Sequence, residues 1–184
     1  MFPQPSGSQN AMQISIREAV ESDAQSIAHV DLESRCAAYR GILPESYLKT
    51  LSLEENRENW ESRLREFGTF VLLAEDTTGK LIGYIYAGRA RKPDANYAGE
   101  VYAIYLLPSH QRGGIGRSLM RSAAQRLSSM GIHSLLIWVL GANPARNFYE
   151  ALGGTYLRSA PNHVAGLTLE GVAYGWKDTS ILRL

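Results

Sequence analysis

The sequence predicts a single α/β domain built on a mixed sheet. Three observations carry that prediction. Dense apolar runs of strand length recur, as in TFVLLAED, EVYAIYLL and HSLLIWVL. Other stretches repeat their apolar residues every three or four positions, the spacing of amphipathic helices. The order is strand, helices, a block of antiparallel strands, then strand–helix–strand–helix–strand. A chain of 184 residues is expected to make one domain and can bury a sizeable core.

The elements follow in turn. QISIREA alternates Ile14 and Ile16 with polar neighbours and reads as a half-buried strand. Ser22 and Asp23 are expected to cap a helix that carries Ile27, Val30, Leu32 and Tyr39. GILPESYL is a break followed by a short helical turn. Ser52, three residues before Glu55, has capping-box spacing. It opens a helix whose expected apolar stripe is Leu53, Trp60, Leu64 and Phe67. TFVLLAED and LIGYIYAGR, joined across the turn signal TTGK, form a hairpin. ARKPDANYAG is a polar loop, and EVYAIYLL a third strong strand ending at Pro108.

From Gly116 onward, Leu119, Met120, Ala123, Leu127 and Met130 form an amphipathic helix stopped by Gly131. HSLLIWVL is a further buried strand. Asn143 caps a helix with Pro144 at its first position and Ala145, Phe148, Tyr149 and Leu152 at helical spacing; a Gly-Gly pair ends it. TYLRSA and TLEGVAYGWK, separated by a loop, read as two last strands. No repeat or linker divides residues 13–184. Residues 1–12, rich in Pro, Gln, Ser and Gly, read as a disordered tail without the basic and apolar blocks of a secretory signal.

Composition narrows the function classes. Hydrophobic residues make up 45% and charged residues 20% of the chain, as in globular proteins. A net charge of +1 gives no reason to expect nucleic acid or an anionic membrane, so any anion site must be local. Cys36 is the only cysteine, which excludes an internal disulfide framework and a multi-cysteine zinc site and fits a reducing cytoplasm. No apolar run approaches the length of a membrane span.

The stretch most in need of explanation is PSHQRGGIGRSLM, Pro108–Met120, between a strand and a helix. The first N–H groups of a helix have no internal partner, and the helix dipole adds positive charge there. Glycines let backbone approach a ligand closely. Phosphate is the usual guest, and Arg112 and Arg117 would add charge-assisted contacts. A P-loop would need Gly-Lys-Ser/Thr, and a dinucleotide fingerprint GxGxxG; neither is present. What is present is Gln111-x-x-Gly114-x-Gly116.

This stretch resembles the acyl-CoA pyrophosphate loop of the GNAT N-acetyltransferase superfamily, Q/R-x-x-G-x-G/A. EVYAIYLLP resembles the strand before that loop, and NPARNFYEALGG the family's later helix. The resemblance extends from about Gln13 to the C-terminus. It implies a mostly antiparallel sheet flanked by helices, with two central parallel strands splayed apart. It implies acetyl-CoA, or another acyl-CoA, as donor, with no metal. The loop Gln111, Arg112, Gly113, Gly114, Ile115, Gly116, Arg117 and Ser118 would take the pyrophosphate, mainly through the amides of residues 112–117. The pantetheine arm would pair with the backbone of Ile104 and Leu106 like an added strand, and Asn143 and Asn147 would approach from the other side.

The implied chemistry is attack of an amine on a thioester. Tyr149 stands at the family's usual general-acid position and would protonate the leaving thiolate. Glu100, 11 residues before Gln111, is the candidate base, directly or through water. A backbone N–H on the bulged strand near Ile104 would meet the oxyanion. His29, His110, His133, His163 and Cys36 rank below these.

The acceptor, a small amine or a peptide, would be shaped by YRGILPESYLKTLS, RARKPDANYAG and RSAPNHVAGL, with Tyr39, Tyr47, Trp60, Tyr84, Tyr86 and Tyr97 as candidate pocket aromatics. Packing on the sheet is the plainer reading for any one of them. A non-catalytic acyl-CoA sensor would share the loop but would need neither Glu100 nor Tyr149. Pairing of the apolar strand TLEGVAYGWK between subunits, giving a homodimer, is a further expectation.

Overall fold

The computed structural model describes residues 14–183; the expected tail at residues 1–12 lies outside them. Strands β1 (Ser15–Glu18), β2 (Thr69–Glu75), β3 (Leu81–Arg89), β4 (Gly99–Leu106), β5 (Leu135–Leu140), β6 (Thr155–Val164) and β7 (Leu167–Trp176) form one seven-stranded sheet in the order β1-β2-β3-β4-β5-β7-β6. Every neighbouring pair is antiparallel except β4 and β5. The helices are α1 (Ala24–Tyr39), α2 (Glu45–Leu48), α3 (Leu53–Leu64), α4 (Ile115–Ser129) and α5 (Arg146–Ala151). The predicted mixed, mostly antiparallel α/β domain is therefore present.

The first half of the sheet, around β3, is covered on both faces. Tyr84 and Tyr86 of β3 turn toward α1 and α3, where Trp60 stands edge-on to both rings, with centroids 4.9 and 5.6 Å away. On the other face α4 buries Ile115, Leu119, Met120, Ala123, Ala124 and Leu127, the stripe its spacing predicts. Gly131 at φ 75° and Gly153 at φ 80° terminate α4 and α5 where the sequence places those stops.

Several local expectations need correction. Ser22 does not cap α1. A 3-10 turn, Glu21–Asp23, precedes that helix, and the Asp23 carboxylate accepts from the Val20 N–H at 2.8 Å. The α3 stripe stops short of Phe67: the helix ends at Leu64, Gly68 (φ 82°) turns the chain back into β2, and Phe67 is fully exposed. The next-to-last strand is longer than the predicted TYLRSA, while β7 matches TLEGVAYGWK to within one residue. β6 runs on to Val164 and meets β7 through Ala165 and Gly166 alone, both left-handed (φ 56° and 73°), as in a tight I′ hairpin. Polar residues and Pro161 conceal this strand because it is a sheet edge, where both are tolerated.

Arg17 ties the start of the chain to β2, reaching Asp23 and Glu75 at 2.7 Å each. Its hydrogen bond holds the Asp23 carboxyl below the usual carboxylate range. That stabilisation is present above the unfolded aspartate pKa of about 4 and is lost as the pH falls through the lowered folded value. Urea denaturation of Arg17→Ala is therefore expected to show a deficit against wild type at pH 7 that shrinks toward pH 3.

Asp31 is a buried carboxylate on α1. It accepts the Tyr84 hydroxyl at 2.5 Å and the Arg35 guanidinium at 3.3 Å. Tyr84→Phe leaves that carboxylate short of one donor, so a loss of about 1–3 kcal/mol in unfolding free energy is expected. Equal denaturation midpoints for the variant and wild type would refute this.

Candidate active site

β4 and β5 pair over only three residues, Gly99↔Leu135, Glu100↔Leu136 and Val101↔Ile137. Beyond them the strands part, although β4 continues to Leu106 and β5 to Leu140. The cause is local. Tyr86 pairs with Ala103 and Ala87 with Val101, so Tyr102 is an extra residue, a bulge that bends β4 away. The bulge thus lies two residues before Ile104, the residue near which it was expected.

Backbone direction beyond the bulge can be read from one bond. The Leu107 N–H donates to the Ile82 carbonyl at 2.9 Å. By two-residue alternation, Tyr105 and Ala103 also bond toward β3, while Ile104 and Leu106 turn their N–H and C=O groups into the gap. Gln111 Nε2 already donates to the Leu106 carbonyl at 3.2 Å. Both predicted backbone sites therefore face the opening, and the gap carries the unpaired edge of a strand.

The gap leads to the glycine-rich turn. The Gln111 N–H bonds back to Pro108, and the Ser118 N–H bonds to Gly114. Between them, the N–H groups of residues 112–117 have no acceptor among the described residues. Arg112 (φ 66°) and Gly114 (φ 83°) are left-handed, which folds these amides into a cradle at the start of α4. A Cβ on Gly114 would meet nothing within 4 Å; the glycine answers to φ and to the open space before the amides. A Cβ on Gly116 would approach the Phe148 ring to 3.1 Å, so that glycine lets α5 pack against α4. Arg112, Gly113, Arg117 and Ser118 line the exposed or half-exposed rim apart from this packing.

The expected cap at Asn143 with Pro144 at the first helical position needs correction: α5 begins at Arg146, and both residues lie in the turn before it, where the buried Asn143 accepts from the Ala145 N–H at 2.9 Å through its side-chain oxygen. Asn147 is exposed on that helix. Tyr149 is buried, its ring 5.5 Å from Phe148 and 6.1 Å from Tyr174 on β7. Burial pushes its hydroxyl pKa above the ordinary tyrosine value, and nearby Tyr39 adds to the shift. The Tyr39 hydroxyl is 2.9 Å from that of Tyr105 on β4. Tyr149 and the opened half of β4 thus share one neighbourhood.

Glu100 lies on β4 before the bulge and is buried. Arg91 holds it three ways: backbone N–H to Oε2 at 3.0 Å, Nε to Oε1 at 3.1 Å, and a terminal guanidinium nitrogen to Oε1 at 2.5 Å. Glu100 opens onto a cleft of about 570 Å³ over β4, β5 and β6, walled by Tyr39, Arg91, Trp138 and Arg158. Each of the three segments expected to shape an acceptor site contributes to it. Of the six candidate aromatics only Tyr39 lines it; Trp60, Tyr84, Tyr86 and Tyr97 belong to the core. Among the described residues no cluster of His, Cys, Asp and Glu could hold a metal ion, and no helix is long and apolar enough to cross a membrane.

The model of the Acetyltransferase (GNAT) family matches residues 32–154, which run from the second half of α1 through β2–β5 and the amide cradle to the end of α5. The chain belongs to the GNAT acetyltransferase family. As a member it is an acyltransferase. It is 36% identical over 170 residues to the Uncharacterized N-acetyltransferase YuaI of Bacillus subtilis (strain 168), covering 92% of this chain and 96% of that one. It is 26% identical to an L-methionine sulfoximine/L-methionine sulfone acetyltransferase of Salmonella typhimurium, over 81% of this chain and 88% of that protein. The PaiA N-acetyltransferase of Thermoplasma acidophilum, solved in complex with coenzyme A, shares the fold: TM-score 0.67 at 22% identity, covering 88% of this chain and 98% of that one.

Sequence reasoning does not single out three residues that wall the cleft beside Glu100, Arg91, Trp138 and Arg158; their stretches show only a loop and two strands. The partners lie far apart in sequence, with Arg158 bonding to Asp94 across 64 positions and Tyr39 to Tyr105 across 66. Only the sheet order brings them together.

Proposed function

We propose that this GNAT member transfers the acetyl group of acetyl-CoA to a primary amine of a small molecule or peptide by direct attack. The observation that carries the reading is the run of unpaired amides at residues 112–117, set at the mouth of an opened strand edge and packed through Gly116 against Phe148, the residue before Tyr149. The amides suit a pyrophosphate. The gap-facing groups of Ile104 and Leu106 suit a strand-like pantetheine arm, and Asn143 and Asn147 are proposed as further contacts. A relative named for L-methionine sulfoximine and sulfone supports an acceptor of small size.

In the reaction the amine nitrogen attacks the thioester carbonyl carbon, the C–N bond forms and the C–S bond breaks. The proton lost from the amine goes to Glu100, directly or through water. The Ile104 N–H, directed into the gap, meets the negative charge that develops on the carbonyl oxygen. Tyr149, protonated at neutral pH as any tyrosine is and held further that way by burial, donates to the leaving thiolate. The raised pKa makes outright transfer uphill, so hydrogen bonding to the developing charge is the larger part of its effect.

Calorimetric titration with acetyl-CoA, followed by free-thiol assay with an amine panel, tests the reading. Binding with amine-dependent thiol release supports it. Binding with no release by any amine or peptide replaces it with an acyl-CoA sensor. Absence of binding removes it.

A further inference from the structure

The cleft beside Glu100 has an unusual arrangement of charge. It contains two ion pairs, Arg91–Glu100 and Arg158–Asp94. In both, the carboxylate is covered and the guanidinium is not: side-chain exposures are 59% against 7% in the first pair and 50% against 11% in the second. Lys92 adds a third cation to the wall, with no ion pair among the described residues. A ligand entering the cleft therefore meets positive charge, although the cleft holds carboxylates. The Arg91 guanidinium lies over the Tyr102 ring at 4.6 Å and that of Arg158 over Trp138 at 5.6 Å. Stacking of this kind orients each planar fork; part of each fork is taken by its own carboxylate, and its remaining N–H groups can bond an anion. Arg158 also ties the 90–98 loop, through Asp94 at 2.8 Å, to β6 across the cleft.

From this we infer that the acceptor is an amine bearing a carboxylate close to its nitrogen, in the manner of an α-amino acid, and that Arg91 takes that carboxylate. The inference rests on the acetyltransferase reading above and names the substrate class for the same site. Arg91 is chosen over Arg158 for its position. Its fork grips Glu100, so a carboxylate bound there sets the neighbouring nitrogen beside Glu100 and the opened end of β4. The same contact acts on Glu100. Substrate carboxylate and Glu100 Oε1 compete for one guanidinium, while the Arg91 backbone N–H keeps its bond to Oε2. Acceptor binding therefore frees one carboxylate oxygen to receive the amine proton, and without acceptor the base stays occupied. Arg91 is thus a specificity and positioning residue.

The test sets a panel of L-α-amino acids against their own carboxamides, with acetyl-CoA as donor and free thiol as readout. The amine of a carboxamide is the less basic of the two and more of it is neutral at pH 7, so a preference for the acid cannot come from amine reactivity. For at least one acid, wild-type kcat/KM is expected to exceed that of its amide by about 10- to 100-fold, the span of a charge-assisted hydrogen-bonded pair. Arg91→Gln, which keeps a donor for Glu100, is expected to bring that ratio toward one, and Arg91→Lys to restore part of it. An unaltered heat of acetyl-CoA binding shows that each variant is folded.

Amides that match or beat every acid overturn the inference, as does thiol release driven by no acid at all. So does an Arg91→Gln variant that lowers acid and amide in equal proportion, because Arg91 would then serve Glu100 alone. These outcomes differ from failure of the acetyltransferase reading, which shows earlier, as absence of acetyl-CoA binding or of thiol release with every amine.

Discussion

Tyr149→Phe is expected to lower kcat by about 10²–10⁴-fold, the usual contribution of a positioned proton donor, while the KM for acetyl-CoA moves little. The substitution removes one oxygen from a ring fixed between Phe148 and Tyr174, and among the described residues no protein group hydrogen-bonds that hydroxyl. Phenylalanine therefore leaves no protein donor or acceptor unpaired, and the fold has little reason to change. A fall confined to kcat, measured with a saturating acceptor, separates proton donation from packing. If Tyr149 only fills space, kcat stays within about threefold of wild type. The effect should also shrink with an acyl donor whose thiol is more acidic, because a better leaving group needs less help.

Gly114→Val is expected to weaken acetyl-CoA binding by about 10²–10³-fold. Two causes combine. A φ of 83° costs an L-residue roughly 1–2 kcal/mol, and a β-branched one more. The chain can relieve that only by turning the cradle, which misaims several of the amides at residues 112–117. Each charge-assisted bond lost is worth about 1.5–3 kcal/mol. Because a Cβ at this position meets nothing within 4 Å in the protein, the loss should appear in the calorimetric Kd far more than in the thermal midpoint. An unchanged Kd would remove this cradle from the cofactor's path.

Features fixed by neighbouring residues were legible in the sequence. The cradle is one: left-handed backbone, glycines and a helix start fall within a few positions, and each has a residue-type signature. The glycine stops of α4 and α5 are others. Features set by strand order were not legible. Nothing in RARKPDANYAGE says that Arg91 folds back on Glu100, or that Asp94 in the same loop is claimed by Arg158 from β6. The tyrosines mislead for a related reason. Tyr84 and Tyr86 look like aromatic recognition residues, yet β3 lies in the half of the sheet that is covered on both faces, and their hydroxyls are taken by Asp31 and Glu66. Trp138 looks like core and instead stands 37% exposed in the cleft, because its strand has lost its neighbour.

The parting of β4 from β5 has a consequence for how this molecule meets other chains. An unpaired strand edge at the rim of a sheet is open to any passing polypeptide and invites unwanted association. Here the bare edge lies inside a wedge that closes at Val101 and Ile137, so its width falls to a single inter-strand spacing, about 4.8 Å, at the apex. Past that apex β4 and β5 satisfy each other, so a second chain entering the wedge finds only a short run of free edge before its path ends. The taper limits how long a pairing the open edge can offer, and so lets a sheet keep that edge in its middle without becoming adhesive.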